Sequence, residues 1–345
     1  MTNADTGEIL FRREGRIGIA TLNRPQALNA LNRAMCRAWH RQLLDWSLEP
    51  EIAAIVIEGA GDRAFCAGGD VVALHHAGKA GSPEWEGFFF DEYRMNQAIS
   101  ACAKPHIALI DGITMGGGVG LSIHGSFRVA TERTRFAMPE TGIGLIPDVG
   151  GTHALPRLPG EIGTWAALTG ARLDGAACKA AGIATHHVLS SELPVLVERI
   201  AHSHEAVEDV LATFDTDPGP DSVTPLRDGI DFHFSHDTVE DILASLDEGD
   251  DWAREQAAII RRMSPTSCKL SLLGVREGRG DSIEACLRRE FRMVSAIKSG
   301  HDFYEGVRAQ LIDKDRNPKW NPAALADVDV APYLAVPPWG DLHFD

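Results

Sequence analysis

GITMGGGVG, residues 112–120, follows the apolar stretch IALID and precedes LSIHG. A glycine inside a helix costs up to about 1 kcal/mol of stability relative to alanine, so the three consecutive glycines at residues 116–118 need a physical reason. Three reasons are open. The backbone packs tightly against a neighbour, it cradles a phosphate, or it approaches a reacting atom.

The pattern of these glycines disfavours a phosphate-binding loop. A P-loop requires a lysine directly after its last glycine, and none follows here. A dinucleotide fingerprint requires G-x-G-x-x-G, and neither Gly116-x-Gly118 nor Gly118-x-Gly120 is followed by the third glycine.

Approach to a reacting atom is favoured by a second glycine loop. Gly117 is predicted to begin a helix after the IALID strand, so its N–H has no acceptor within the helix and lies at the positive end of the helix dipole. FCAGGD, residues 65–70, likewise follows a buried strand, AAIVIEGA. Two such loops can offer the two N–H groups that stabilise an oxyanion.

MPETGIGLIPDVGGT, residues 138–152, supplies two carboxylates, Glu140 and Asp148, in an apolar and glycine-rich setting. Burial raises the pKa of a carboxyl group toward the range useful for acid–base chemistry. Taken singly, either residue could instead be a helix N-cap or a solvated loop residue.

Composition bounds the partners. The 345 residues include 33 Lys and Arg against 49 Asp and Glu, a formal charge of −16. This acidity disfavours nucleic acid and anionic membranes as partners.

No apolar run approaches the roughly 20 residues that span a bilayer. The polar, acidic start MTNADTGEIL lacks the features of a leader peptide, so we expect a cytoplasmic protein.

The cysteines give no sign of a disulfide framework or of a metal site. The chain has no C-x-x-C pair, and the histidines show no metal-binding spacing. We therefore expect no metal, and free, mostly buried thiols. The six cysteines are Cys36, Cys66, Cys102, Cys178, Cys268 and Cys286.

Alternation of strand and helix patterns predicts an α/β protein. Strands are predicted at the EILFRRE and RIGIATL hairpin, 53–60, 107–112, 127–132 and 186–189. Helices are predicted at 30–48, 84–101, 175–181 and 193–202, and later at 237–247, 251–262, 266–276 and 282–298. This change of pattern predicts a core over residues 1–205 and a helical C-terminal region with an irregular tail over residues 206–345.

Four motifs in this order and spacing resemble the crotonase (enoyl-CoA hydratase/isomerase) superfamily: NRPQALNAL at 23–31, FCAGGD, DGITMGGGVG and MPETGIGLIPDVGG. Three later stretches, at 167–188, 263–272 and 300–320, are similar to the acyl-CoA hydrolases of that family. The resemblance implies a spiral of ββα repeats followed by a helical C-terminal region.

The resemblance also implies how coenzyme A is held. In the family, the adenine and pantetheine ends lie against two loops, and the matching positions here are Gln26, Ala27, Leu28, Ala67, Gly68 and Asp70. The oxyanion hole falls on the backbone N–H groups of Gly69 and Gly117. Arg24 is a candidate for the phosphates of coenzyme A.

The catalytic carboxylate of the family matches Glu140, and the substrate-binding set of its hydrolases matches Glu92, Gly117, Glu140 and Asp148. Hydratases of the family carry a second glutamate three residues beyond the oxyanion glycine, where this chain has Gly120. Gly120 is therefore expected to line the substrate site and to leave space beside the thioester carbon for a nucleophile. The resemblance therefore implies that Glu140 attacks the thioester or activates water. Asp148 would orient the water or bind the acyl hydroxyl, and Glu92 would contact the hydroxyl end.

The resemblance implies hydrolysis of a short-chain 3-hydroxyacyl-CoA thioester, with 3-hydroxyisobutyryl-CoA of valine catabolism as the expected substrate and no cofactor. An enoyl-CoA hydratase or isomerase and a non-catalytic acyl-CoA binding protein are the alternatives. A serine hydrolase is disfavoured because the chain has no G-x-S-x-G motif. Family members assemble as trimers or hexamers, so we expect a homo-oligomer, or else a helical region that covers the chain's own site.

Overall fold

The computed structural model describes residues 7–344, and the first six residues of the start considered above lie outside the described residues. The strands of the described part are β1 Ile9–Glu14, β2 Ile17–Leu22, β3 Ala54–Gly59, β4 Ala64–Cys66, β5 His106–Ile110, β6 Ile113–Met115, β7 Phe127–Ala130, β8 Arg135–Ala137, β9 Leu173–Asp174 and β10 His186–His187. Its α-helices are α1 Arg33–Leu48, α2 Val71–Lys79, α3 Glu84–Ser100, α4 Gly117–Ser122, α5 Gly151–Ala154, α6 Ile162–Thr169, α7 Gly175–Ala180, α8 Leu193–His202, α9 Val207–Phe214, α10 Arg227–His233, α11 Val239–Asp247, α12 Asp251–Ile260, α13 Pro265–Gly278, α14 Ile283–Ile297 and α15 Asp302–Val307.

The chain forms two compact units, each assembled from three separate stretches. Unit 1 comprises residues 1–69, 94–136 and 172–224, and unit 2 comprises residues 70–93, 137–171 and 225–345. No α-helix within residues 7–344 is long and apolar enough to cross a membrane.

Unit 1 is built on a six-stranded sheet in the order β1-β2-β3-β5-β7-β10. The predicted hairpin is confirmed, because β1 and β2 pair antiparallel with Ile9 opposite Leu22. From β2 onward the neighbouring strands run parallel. The predicted α/β class is therefore confirmed.

Helices cover both faces of this sheet, and successive residues of a strand point to opposite faces. Ile17 and Ile19 of β2 belong to the apolar cluster that includes residues of α8 and α9. The intervening Gly18 faces α1, where an added Cβ would lie only 2.5 Å from Cδ2 of Trp46. A side chain at this position would displace the indole.

Helix α1 begins at residue 33 rather than at the predicted residue 30. Asn32 has an extended backbone, and its side chain accepts a hydrogen bond from the N–H of Met35 at 3.0 Å. An asparagine in that role caps the helix and fixes its first residue.

A second, four-stranded sheet in the order β4-β6-β8-β9 was not predicted from the sequence. Its members are only two or three residues long, which is too short for a period of two to be recognised. Two of them carry the glycine motifs, because β4 leads into the FCAGGD loop and β6 leads into α4.

Unit 2 is helical, and α13 is its central element, with α5, α6, α11 and α14 packed against it. Small residues allow the closest of these approaches. A Cβ added to Gly274 of α13 would lie 2.6 Å from Cγ2 of Thr152 in α5. The four helices predicted after residue 237 are confirmed as α11, α12, α13 and α14, with ends that agree within about two residues, whereas α15 was not predicted.

For two of the three consecutive glycines at residues 116–118, the structure shows a separate reason for the missing side chain. Gly116 has φ of +47°, a backbone conformation that L side chains rarely adopt. Gly117 is the first residue of α4. Gly118 packs against β4, where an added Cβ would overlap the carbonyl oxygen of Cys66 and lie 2.9 Å from its Cβ. Tight packing is thus the reason at Gly118.

We expect Gly118→Ala to destabilise the protein by about 1–3 kcal/mol, because the new methyl group must displace the Cys66 backbone. Thermal unfolding monitored by circular dichroism measures the effect. Gly280→Ala is the matched control, because an added Cβ there meets nothing within 4 Å. Equal melting temperatures for the two variants would contradict this account of the glycine.

Candidate active site

The two glycine loops of unit 1 are neighbours. Gly68 has φ of +109°, and a Cβ added to it would lie 3.4 Å from the carbonyl oxygen of Met115 and 3.7 Å from the nitrogen of Gly117. Gly69, the next residue, forms an isolated parallel bridge with Leu31. The structure therefore brings together the two loops predicted to supply the oxyanion-hole N–H groups.

The chemistry available at Gly117 follows from its place in α4. As the first helical residue it has an N–H that no carbonyl of the helix can accept. Gly120 lies one turn later, is buried, and donates its N–H to the carbonyl of Gly116 at 3.2 Å. Gly120 therefore contributes a backbone hydrogen bond within α4 and no acid–base side chain.

The predicted coenzyme A residues of unit 1 also come together. Gln26 and Ala27 lie in a 3-10 turn that ends at Leu28, whose φ is +51°. The carbonyl of Leu28 accepts the N–H of Ala67 at 3.0 Å, which joins the first loop to the FCAGGD loop.

Two further candidates have structural partners. Arg24 donates to the carbonyl of Ala30 at 2.7 Å, and its Nε lies 3.2 Å from a carboxylate oxygen of Glu8. Asp70 belongs to unit 2, where its side chain caps α2 by accepting the N–H of Ala73 at 3.2 Å. A role of either residue in binding coenzyme A stays a prediction.

Unit 2 contains the three predicted carboxylates, and all of them are buried. Glu92 lies on α3, Glu140 begins the 3-10 turn Glu140–Ile143, and Asp148 lies in the loop before α5. Their exposed fractions are 2%, 5% and 4%. Neither Oε1 of Glu92 nor Oε2 of Glu140 has a hydrogen-bond partner among the described residues. Buried polar atoms without partners are rare in folded proteins, and here they are available to a ligand.

Electrostatic repulsion among these three carboxyl groups indicates that they lie close together. Burial raises the pKa of Glu92 well above its usual range, and repulsion from Asp148 and Glu140 adds to the rise. Burial, followed by repulsion from Asp148, likewise raises the pKa of Glu140. Burial raises the pKa of Asp148 to about 6, against the opposing hydrogen bond from Tyr93. Near neutral pH the cluster therefore holds protons as well as negative charge.

Tyr93 is a site residue that the sequence analysis missed. It is fully buried on α3, and its hydroxyl donates a hydrogen bond to Oδ2 of Asp148 at 2.7 Å. A buried tyrosine normally finds a partner for its hydroxyl, but the burial of Tyr93 is seen only in the structure. The sequence did not show that the partner is Asp148, 55 residues further along the chain.

Cys66, the cysteine of the FCAGGD loop, is fully buried. Within residues 7–344, no group of His, Cys, Asp and Glu side chains is arranged to hold a metal ion. The expectation that the protein uses no metal stays a prediction.

The chain belongs to the enoyl-CoA hydratase/isomerase family, whose model it matches over residues 17–335. Among curated relatives, it is 50% identical to the rat protein named 3-hydroxyisobutyryl-CoA hydrolase, mitochondrial, over 336 residues, or 94% of this chain and 87% of the relative. The human protein of the same name is 48% identical over 331 residues, or 93% and 86%. The family resemblance found in the sequence is confirmed.

Solved structures agree on the fold. One described as a carnitinyl-CoA dehydratase from Mycobacterium thermoresistibile is 41% identical, with a TM-score of 0.92 over 98% of this chain and 99% of the other. Another, described as an enoyl-CoA hydratase from Rhodobacter sphaeroides 2.4.1, is 39% identical, with a TM-score of 0.88 over 98% and 100%. The predicted crotonase fold is therefore confirmed.

The predicted cytoplasmic location is wrong by the same comparisons, because the curated relatives are named as mitochondrial proteins. The prediction rested on the absence of leader-like features, and an absence of that kind does not locate a protein. The predicted trimer or hexamer is untested and stays a prediction.

We expect Tyr93→Phe to raise the pKa of Asp148 by about one unit, because a hydrogen bond to the charged carboxylate favours ionisation and its loss removes that effect. Carbon-13 NMR of protein labelled at the aspartate carboxyl groups measures the pKa, with the resonance assigned through Asp148→Asn. Tyr304→Phe is the control, since that hydroxyl donates to the carbonyl of Lys298. An unchanged pKa in Tyr93→Phe would show that the bond does not act on Asp148.

Proposed function

We propose that this protein hydrolyses a short-chain 3-hydroxyacyl-CoA thioester, with 3-hydroxyisobutyryl-CoA as the substrate. The observation that carries the proposal is the buried carboxylate cluster of Glu92, Glu140 and Asp148, in a chain that has glycine at position 120. The names of the curated relatives, which are 47–50% identical to this chain, support the same activity.

The N–H groups of Gly69 and Gly117 are proposed to bind the thioester carbonyl oxygen, where negative charge develops during cleavage. Donors placed in advance at such a point typically contribute about 10²–10³ in rate. The left-handed backbone at Gly68 supports this role, because a side chain there would strain the loop next to Gly117.

Glu140 is proposed to perform the chemistry, either by attacking the acyl carbon or by taking a proton from an attacking water. In both routes the C–S bond breaks, the sulfur of coenzyme A gains a proton, and an oxygen from water remains on the acid. Asp148 orients the water or the acyl hydroxyl, and Glu92 binds the hydroxyl end through its unpartnered Oε1. Protonated and ionised carboxyl groups side by side suit a hydroxyl, which both donates and accepts.

Hydration or dehydration of the acyl chain is the second candidate, because the solved structures at 41% and 39% identity are described as a dehydratase and a hydratase. That chemistry requires a second acid–base group beside the substrate. At position 120 this chain has a glycine, so Asp148 would have to take the role. Hydrolysis does not require Asp148 to replace a second glutamate.

We expect purified protein to release free coenzyme A from 3-hydroxyisobutyryl-CoA and to leave the absorbance of crotonyl-CoA nearly unchanged. A thiol reagent measures the release, and ultraviolet absorbance of the enoyl thioester measures hydration. EDTA should leave the release intact, since the proposed reaction uses only water and the thioester.

The two other functions give different results in the same assay. Rapid hydration of crotonyl-CoA without thiol release would establish the hydratase. Binding of both thioesters, measured by calorimetry, with turnover of neither would establish an acyl-CoA binding protein.

We expect Glu140→Gln to lower kcat by at least about 10²-fold with little change in KM, because the amide keeps the shape of the side chain and removes its basicity. Glu208→Gln, at an exposed position on α9, is the control and should retain full activity. A rate close to that of the unmodified protein would remove Glu140 from the mechanism.

A further inference from the structure

Glu290, on α14, is a fourth buried carboxylate that neither the sequence analysis nor the proposed mechanism uses. It has no exposed surface, and its hydrogen bonds reach a segment about 140 residues earlier in the chain. Oε2 accepts the N–H of Gly150 at 2.8 Å. Oε1 accepts the N–H of Thr152 at 3.0 Å and its hydroxyl at 2.5 Å.

These three donors belong to the turn that directly follows Asp148. Val149 has φ of +53° and Gly150 has φ of +79°. A β-branched residue rarely adopts a positive φ, so the surrounding structure must hold this turn in place. Glu290 accepts hydrogen bonds from Gly150 and from Thr152, which both follow Val149 in the chain.

The charge of Glu290 is compensated by these donors and not by its neighbour on the helix. Arg289 pairs with Glu277 and Asp281. Burial raises the pKa of Glu290, and the hydrogen bonds from Thr152 and Gly150 oppose that rise because they stabilise the ionised form. A carboxylate is thus retained at a buried position where an apolar side chain would pack without this cost.

We propose that Glu290 is a positioning residue for Asp148: it fixes the turn at residues 149–152 and thereby sets the direction of the Asp148 carboxylate toward Tyr93 and the substrate. The proposal rests on the proposed hydrolysis. Through Glu290, the helical region after residue 206 would affect the reaction, although none of the predicted catalytic residues lies in that region.

A carboxylate suits this role better than an amide. Its two oxygens accept all three hydrogen bonds, whereas glutamine presents an NH₂ group to an N–H donor and loses at least one of them. The turn then relaxes, and a displacement of about 1 Å at a reacting group can cost about 10²-fold in rate.

The test compares Glu290→Gln and Thr152→Val with the unmodified protein and with Glu255→Gln, an exposed control on α12. We expect Glu290→Gln to lower kcat on 3-hydroxyisobutyryl-CoA by about 10²-fold with little change in KM. Thr152→Val removes one of the three donors at nearly constant volume and should give a smaller loss of kcat. Circular dichroism shows whether each variant is folded. If Glu290→Gln does not fold, the kinetics of Thr152→Val decide the test.

Hydrogen exchange measured by mass spectrometry provides a readout that needs no activity. In Glu290→Gln, the peptide covering residues 148–154 should exchange faster, while the rest of unit 2 keeps its protection. If the unmodified protein hydrolyses no 3-hydroxyacyl-CoA, the proposed function fails, and the exchange result alone decides whether Glu290 holds the turn. Unchanged kcat in folded variants, or unchanged exchange at residues 148–154, would overturn the positioning role.

Discussion

Burying negative charge is the constraint on which unit 2 depends. A carboxylate removed from water is unfavourable unless it is protonated, paired or hydrogen-bonded. Glu92, Glu140 and Asp148 share one buried site, so the site holds protons near neutral pH, and Asp148 relies on the Tyr93 hydroxyl. Natural proteins accept such a loss of stability where function requires it. The unpartnered oxygens of Glu92 and Glu140 are the places where a substrate hydroxyl or a water would restore the missing hydrogen bonds.

The parts of the fold that were predictable are those with a long periodic signal. Strand β3 and helices α8 and α14 carry enough alternating or helical positions to be located within one or two residues. The four-stranded sheet was not predictable, because strands such as β9, with two residues, are defined by their pairing partners and not by their own sequence. The start of α1 was missed for a local reason, the capping hydrogen bond of Asn32.

The candidate site divides in the same way. Gly117 and Glu140 stand in motifs whose residues are close together in sequence, so the resemblance to the family reached them directly. Tyr93 and Glu290 act through partners 55 and up to 140 residues away. Neither residue belongs to a motif, and only the fold brings it to its partner. The residues expected to contact the substrate could be identified from the sequence. Tyr93 and Glu290, which position those residues through hydrogen bonds, were missed.

The interleaving of the two units has a consequence for biosynthesis. The chain passes from one unit to the other five times between residues 69 and 225. While the ribosome is still translating residues before 283, α14 does not exist, and the turn after Asp148 lacks its carboxylate acceptor. Unit 2 therefore cannot complete its packing until α14 has been translated. Neither unit could be produced alone by cutting the chain once, because each consists of three separate stretches.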